Sequence, residues 1–196
     1  MGVAVGLKLT NPVAFKAAMV KTGKNVTKVL PYTLTQCAFE GRKELMAKLP
    51  AYIHKPTSAT VRGVYYEKAK PAGKPYSQVK FSPLAWKWMR LGVLGGTRRG
   101  TAPVDATLNS YGNVVASQRA GNVLSKSNAE RMTINGTDGI WLREKGSLRL
   151  MHVYKNSMQY SKRLPMQYIV YKKAASVFKK KFSENMRNAI KRGLGN

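Results

Sequence analysis

Acidic side chains are scarce in this chain: its 196 residues hold 8 Asp+Glu against 35 Lys+Arg, a formal net charge of +27 with a pI near 10.5. A free chain with that balance repels itself and attracts polyanions. It therefore asks for an acidic partner: nucleic acid, an anionic membrane surface or an acidic protein surface. The same scarcity starves hydrolytic metal chemistry, which needs several clustered carboxylates; Asp105 and Asp138 each stand alone. There are two histidines, His54 and His152, and neither has an HxxxH or HxH partner for a metal. Cys37 is the single cysteine, which rules out an internal disulfide and a cysteine-based metal cluster; an unpaired cysteine is most simply a buried thiol. No apolar run approaches the ~20 residues of a membrane span. The opening MGVAVGLKLTNP places no basic residue before its short apolar stretch, unlike a signal peptide. These absences predict a non-enzymatic protein with no catalytic residues, no metal site, no cofactor and no membrane segment.

What is present is the composition of a folded protein: 43% hydrophobic and 22% charged, near the globular average. The length suits one domain, with two small lobes also compatible. We read residues 1–196 as a single α+β domain with extended loops at about 92–113 and 125–138. The cations are dispersed, from Lys8, Lys16, Lys21, Lys24 and Lys28 to Lys172, Lys173, Lys179, Lys180, Lys181, Arg187, Lys191 and Arg192. From Lys145 onward Glu184 is the single acidic residue. Dispersal argues for charged faces on folded elements rather than a detachable basic tail.

The pattern predicts an N-terminal helix pair. Asn11-Pro12 reads as N-cap and first helical position for a helix to about Lys21, ended by Gly23. A second helix runs from Pro31 to Lys48, with Leu34, Cys37, Ala38, Leu45 and Leu49 at helical spacing and Pro50 as its stop. Glu40 and Glu44 lie one turn apart on it beside Arg42, Lys43 and Lys48, which reads as a solvated charged face rather than an acid/base pair. Antiparallel β-hairpins follow. Val61, Val64, Tyr65 and Tyr66, then Tyr76, Val79 and Phe81, flank the wide turn Lys70 to Pro75. Pro83 to Leu91, with Trp86, Trp88 and Met89, reads as a short helix, and Ala116 to Leu124 as another. Asn135-Gly136 and Asp138-Gly139 are turn dipeptides. Ile140 to Arg143, the turn Lys145-Gly146-Ser147, and Leu148 to Tyr154 form a second hairpin. A long C-terminal amphipathic helix begins at Pro165: Met166, Ile169, Val170, Val177, Phe178, Phe182, Met186, Ala189 and Ile190 recur at three- and four-residue spacing over about seven turns. We expect it to pack on the sheet with Phe178 in the core.

Three clusters invite a binding role. Tyr65, Tyr66, Tyr76 and Phe81 beside Lys68, Lys70, Lys74 and Lys80 resemble a surface for stacking and phosphate contact, although core aromatics on one hairpin face explain the pattern more simply. No helix–turn–helix, RNP, KH or zinc-finger signature accompanies them. The stretch Gly92 to Gly100 lacks the GK[ST] of a P-loop and has no GxGxxG after a strand; it reads as a flexible loop exposing Arg98 and Arg99. Lys179, Lys180 and Lys181 splay over about 200° of the final helix at 100° each, so part of the trio must face solvent or a partner. We take Arg98, Arg99, Lys179, Lys180 and Lys181 as candidate contacts to acidic surfaces, with plain solubility as the alternative.

The order of segments also resembles the minor tail or tail-completion proteins of phages and prophages, of the Z type. The likeness is carried by Glu44-Leu45-Met46-Ala47-Lys48-Leu49-Pro50, Lys55-Pro56-Thr57, the lysine-rich hairpin, Gly95-Gly96-Thr97-Arg98-Arg99, Tyr111-Gly112-Asn113, Gly139-Ile140-Trp141, the extended Met158 to Arg163 and the final helix. It covers roughly Phe15 to Ile190 and rests on order more than on any one motif. The segment around Trp86 and Trp88 departs from the family's acidic, glycine-bearing version, and the charge is unusually high. The resemblance implies a structural virion protein without catalysis at a bacteriophage tail or head–tail junction. It further implies a homo-oligomeric ring assembled in the host cytoplasm that contacts neighbouring tail, connector or portal proteins; a cationic ring can also face packaged DNA. The alternative from composition alone is a non-enzymatic basic nucleic-acid-binding protein.

Overall fold

The computed structural model describes residues 26–70 and 75–194. In chain order they form a 3-10 turn at Val26–Lys28, α1 (Val29–Tyr52), α2 (Ser58–Arg62), β1 (Val64–Glu67), β2 (Gln78–Phe81) and α3 (Pro83–Leu94). Then come β3 (Gly96–Pro103), a 3-10 turn at Ala116–Gln118, α4 (Ala120–Leu124), β4 (Ala129–Ile134), β5 (Thr137–Glu144), β6 (Ser147–Tyr160) and α5 (Met166–Leu194). The fold is α+β, with two antiparallel sheets and long helices near both ends. The expected helix at Pro12 to Lys21 lies outside the described residues. Contacts gather the chain into two compact units: Met1–Tyr52 with Ser58–Arg90 and Leu164–Asn196, and Ile53–Thr57 with Leu91–Arg163.

The first unit is built on α1 and α5. Leu34, Cys37, Ala38, Leu45 and Leu49 are buried along α1, and Met166, Ile169, Val170 and Ala174 along α5. The two run antiparallel, since Gly41 meets Val170 while Asn185 donates to Thr33 Oγ1 (3.0 Å) and Gln36 Oε1 (2.8 Å). The final helix therefore packs on α1, a helix where the sequence suggested a sheet. Phe178 is half-buried and stacks on Phe182 (centroids 5.6 Å apart) instead of entering the core. Pro50 falls inside the last turn of α1, which continues to Tyr52, past the expected stop. β1 and β2 pair Val64 with Phe81 and Tyr66 with Val79 and lie on α1, where Phe39 meets Tyr66 edge-on and Arg42 Nε donates to Val64 O (2.8 Å). Val61 belongs to α2, not to the hairpin.

The second unit is a four-stranded antiparallel sheet in the order β3-β6-β5-β4. Both of its hairpins close through two residues of positive φ, Asn135-Gly136 (48° and 75°) and Lys145-Gly146 (48° and 81°), the type I′ geometry that matches strand twist. Asp138-Gly139, expected as a turn, lies within β5: a Cβ on Gly139 would meet Leu150 Cδ1 at 2.5 Å and His152 O at 2.7 Å, so the position is a close cross-strand approach. α4 covers one face through Val123, which is buried with Ile140, Leu142 and Met151. The expected loops at 92–113 and 125–138 contain β3 and β4.

Candidate functional site

The glycine-rich stretch is not a flexible loop. Gly95 ends α3 with φ +73° and donates its N–H to Leu91 O (2.9 Å), a left-handed helix stop that favours glycine. A Cβ there would also sit 3.2 Å from Tyr160 O and 3.4 Å from Lys162 N. The absence of a side chain lets β3 start flush against the end of β6. Arg98 and Arg99 therefore sit on an edge strand. Arg98 pairs with Met158 and Gly100 with Lys155, so Arg99 opposes a bulge at Asn156-Ser157. Successive strand residues alternate faces, placing Arg98 on the face of Met158 and Lys155 and Arg99 on the other. Past Tyr160 the chain stays close, and the Arg163 N–H donates to Gly92 O (2.8 Å).

This end of the sheet collects Arg98, Arg99, Lys155, Lys162 and Arg163, all exposed, with exposed Tyr160 among them. None of the five holds an ion pair among the described residues. No acid is near in sequence either: Lys68 to Val104 and Lys145 to Ser183 contain no Asp or Glu. All but one of the acids, Glu130, are engaged elsewhere. Glu40 pairs with Lys43 (3.8 Å), Glu44 with Lys48 (3.1 Å) and Lys173 (3.8 Å), and Glu67 with Lys80 (2.8 Å). Asp138 pairs with Arg131 (2.7 Å), Asp105 and Glu144 with Arg149 (2.6 and 3.7 Å), and Glu184 with Lys181 (3.3 Å). The Arg131 hydrogen bonds hold the Asp138 carboxyl below its ordinary pKa, and the Glu67 bond holds Lys80 above its own. Seven of the eight carboxylates named in the sequence are thus matched locally, and the cationic end of the sheet has no internal counter-charge.

The other expected residues fall elsewhere. Lys179 and Lys180 are exposed on α5, in the first unit, while Lys181 is half-buried and tied to Glu184. The aromatic hairpin splits: Tyr66 and Phe81 turn towards α1, whereas Tyr65 and Tyr76 stay exposed and Lys80 is neutralised by Glu67. That division removes the four-ring platform. Cys37 is buried, and burial, reinforced by Glu40, pushes its thiol up to about 11, which suppresses the reactive thiolate. His152 is buried mid-strand with Nε2 bonded to Gln118 O at 2.8 Å. Among the described residues no three His, Cys, Asp or Glu side chains gather to hold a metal, and no helix is long and apolar enough to cross a membrane.

Lys155, Lys162 and Arg163 are the members of the cluster that sequence reasoning missed. The available signal was the uninterrupted extended character of Leu148 to Arg163 without an acid, but the pairing that brings it to Arg98 joins segments far apart in the chain. No family model, curated protein or solved structure matches the chain.

Proposed function

We propose that this chain is a non-enzymatic structural subunit of a bacteriophage virion, acting at the tail or head–tail junction as copies in a ring. The observation that carries the reading is the cationic end of the four-stranded sheet. There Arg98, Arg99 and Lys155 on β3 and β6, and Lys162 and Arg163 just past β6, hold no ion pair among the described residues, while seven of the chain's eight acids are held in local ion pairs. A subunit of that kind meets acidic tail, connector or portal proteins and the packaged DNA, where it neutralises charge that otherwise opposes assembly. The resemblance of its segment order to Z-type tail-completion proteins supports the location. Negative-stain imaging of particles made without this chain tests it. Tailless or unjoined heads and tails are expected; normal particles reject the assembly role.

A second reading is favoured by the same cluster: a nucleic-acid-binding protein working through phosphate contacts. Five phosphate contacts on duplex DNA give a slope of about −4.5 in log affinity against log salt. Tight duplex binding with that slope, together with normal particles in the chain's absence, selects it.

A further inference from the structure

The twelve-residue helix α3 carries a surface outside the cationic site. Its buried side is Ala85, Met89 and Val93. Away from it Leu84 (65%) and Trp88 (67%), one turn apart at i and i+4, are the two most exposed large apolar side chains among the described residues. Single exposed apolar residues are ordinary, but a neighbouring pair this exposed is less so. The helix is held firmly. Ser82 Oγ accepts from Ala85 N (3.3 Å), Ser82 O accepts from Trp86 N (2.8 Å), and Gly63 lies so close to Ala85 that a Cβ there would be 2.5 Å from the alanine methyl. A tryptophan presented on a fixed helix is the kind of anchor that dominates protein interfaces, since little freedom is lost on binding.

We infer that the exposed Leu84–Trp88 side of α3 docks into an apolar pocket on an acidic protein, with Trp88 as the anchor and the helix's cations Lys87 and Arg90 drawn to the acidic surface around it. The choice of occupant comes from charge. Lys87 lies beside Leu84 at i+3, Arg90 lies one turn further along, both are exposed, and the helix contains no acid. A second copy, itself at +27, would set like charges against them. An acidic rim reverses that sign and adds steering to the apolar contact.

A photo-crosslinking residue in place of Trp88, in cells making the full set of partner proteins, tests this. The expected product is one adduct, identified by peptide mass spectrometry, to a different and acidic protein. It should be lost in the Lys87→Glu/Arg90→Glu double variant, and a crosslinker in place of exposed Ser147 should not form it. The Trp88→Ala protein should keep the wild-type Tm, because the side chain is exposed. Adducts to a second copy alone, or none above the Ser147 control, overturn the inference. So does purified wild-type protein that self-associates in sedimentation while Trp88→Ala stays monomeric. The adduct is read in cells rather than in particles, so normal particles without the chain would reject the virion role and leave this result standing.

Discussion

The contact between Gly41 and Val170 sets the spacing of the two long helices, and its energetics can be worked from geometry. Gly41 lies mid-α1, and a Cβ there would be 2.9 Å from Val170 Cγ1 and 3.4 Å from Val170 O. Helix propensity alone favours Gly41→Ala by about 0.8–1.0 kcal/mol. Carbon pairs rest at about 3.5–4.0 Å, so the new methyl sits well inside contact. Val170 is 2% exposed, and a β-branched side chain in a helix is nearly fixed at χ1, so it has little room to turn away. Overpacking of this kind costs about 1–3 kcal/mol, and the net expectation for Gly41→Ala is a loss of about 1 kcal/mol. Val170→Ala alone should cost about 1.6 kcal/mol for two buried methyl equivalents. In the double variant the new methyl enters the vacated space and the propensity gain is realised, so it should be more stable than the sum of the singles by about 1–3 kcal/mol. Urea unfolding with an unchanged m-value reads these numbers. Additivity within about 0.5 kcal/mol, or a Gly41→Ala protein stabilised by its full propensity gain, would refute the packing described.

Two further perturbations probe the same unit. Phe178→Asp should lower stability by about 1–3 kcal/mol through loss of the stacked Phe182 contact while the protein still folds; an unchanged Tm refutes the pair, and failure to fold places Phe178 in the core after all. Cys37 has a folded-state pKa of about 11 against an ordinary 9.0, so its contribution is fully present below pH 9 and is lost as pH rises through 11, by at most about 3 kcal/mol. The urea midpoint should therefore fall less steeply between pH 8 and 11 in Cys37→Ala than in wild type, and parallel profiles would contradict the buried thiol.

Much of the fold was legible because its signals are local. Helical spacing located the final helix and the helix containing Cys37, and Asn135-Gly136 and Lys145-Gly146 marked two turns. The positive φ of Asn135, Gly136 and Gly146 suits their residue type, while that of Lys145 is imposed by the two-residue closure. What failed was non-local. Gly-Thr-Arg-Arg-Gly has weak intrinsic strand preference and reads as a loop; its strand state comes from pairing with β6, a context effect that propensity cannot carry. Asp138-Gly139 has turn chemistry, but cross-strand crowding by Leu150 and His152 explains the glycine. Periodicity on α5 showed which side is apolar without showing that α1 would cover it. The candidate site shared this fate: Arg98 and Arg99 were visible, and their company of Lys155, Lys162 and Arg163 was set by register.

The distribution of charge constrains how copies of such a chain can assemble. Opposite charges on two identical subunits can attract only if some acidic surface is left to offer, and seven of the eight carboxylates already hold cations within their own chain. Copy-to-copy contact therefore has to be made by apolar or backbone groups working against the repulsion of like charges, whereas contact with an acidic protein or DNA is drawn in by them. Salt separates the two cases by sign. Screening over about 8–10 Å at moderate ionic strength relieves repulsion between copies and strengthens their association, while it weakens attachment to an acidic partner. If the copies close into the proposed ring, that ring should be held to acidic neighbours least tightly under the conditions in which it closes on itself most readily, and an acidic template would then be the natural means of bringing the copies together at physiological salt.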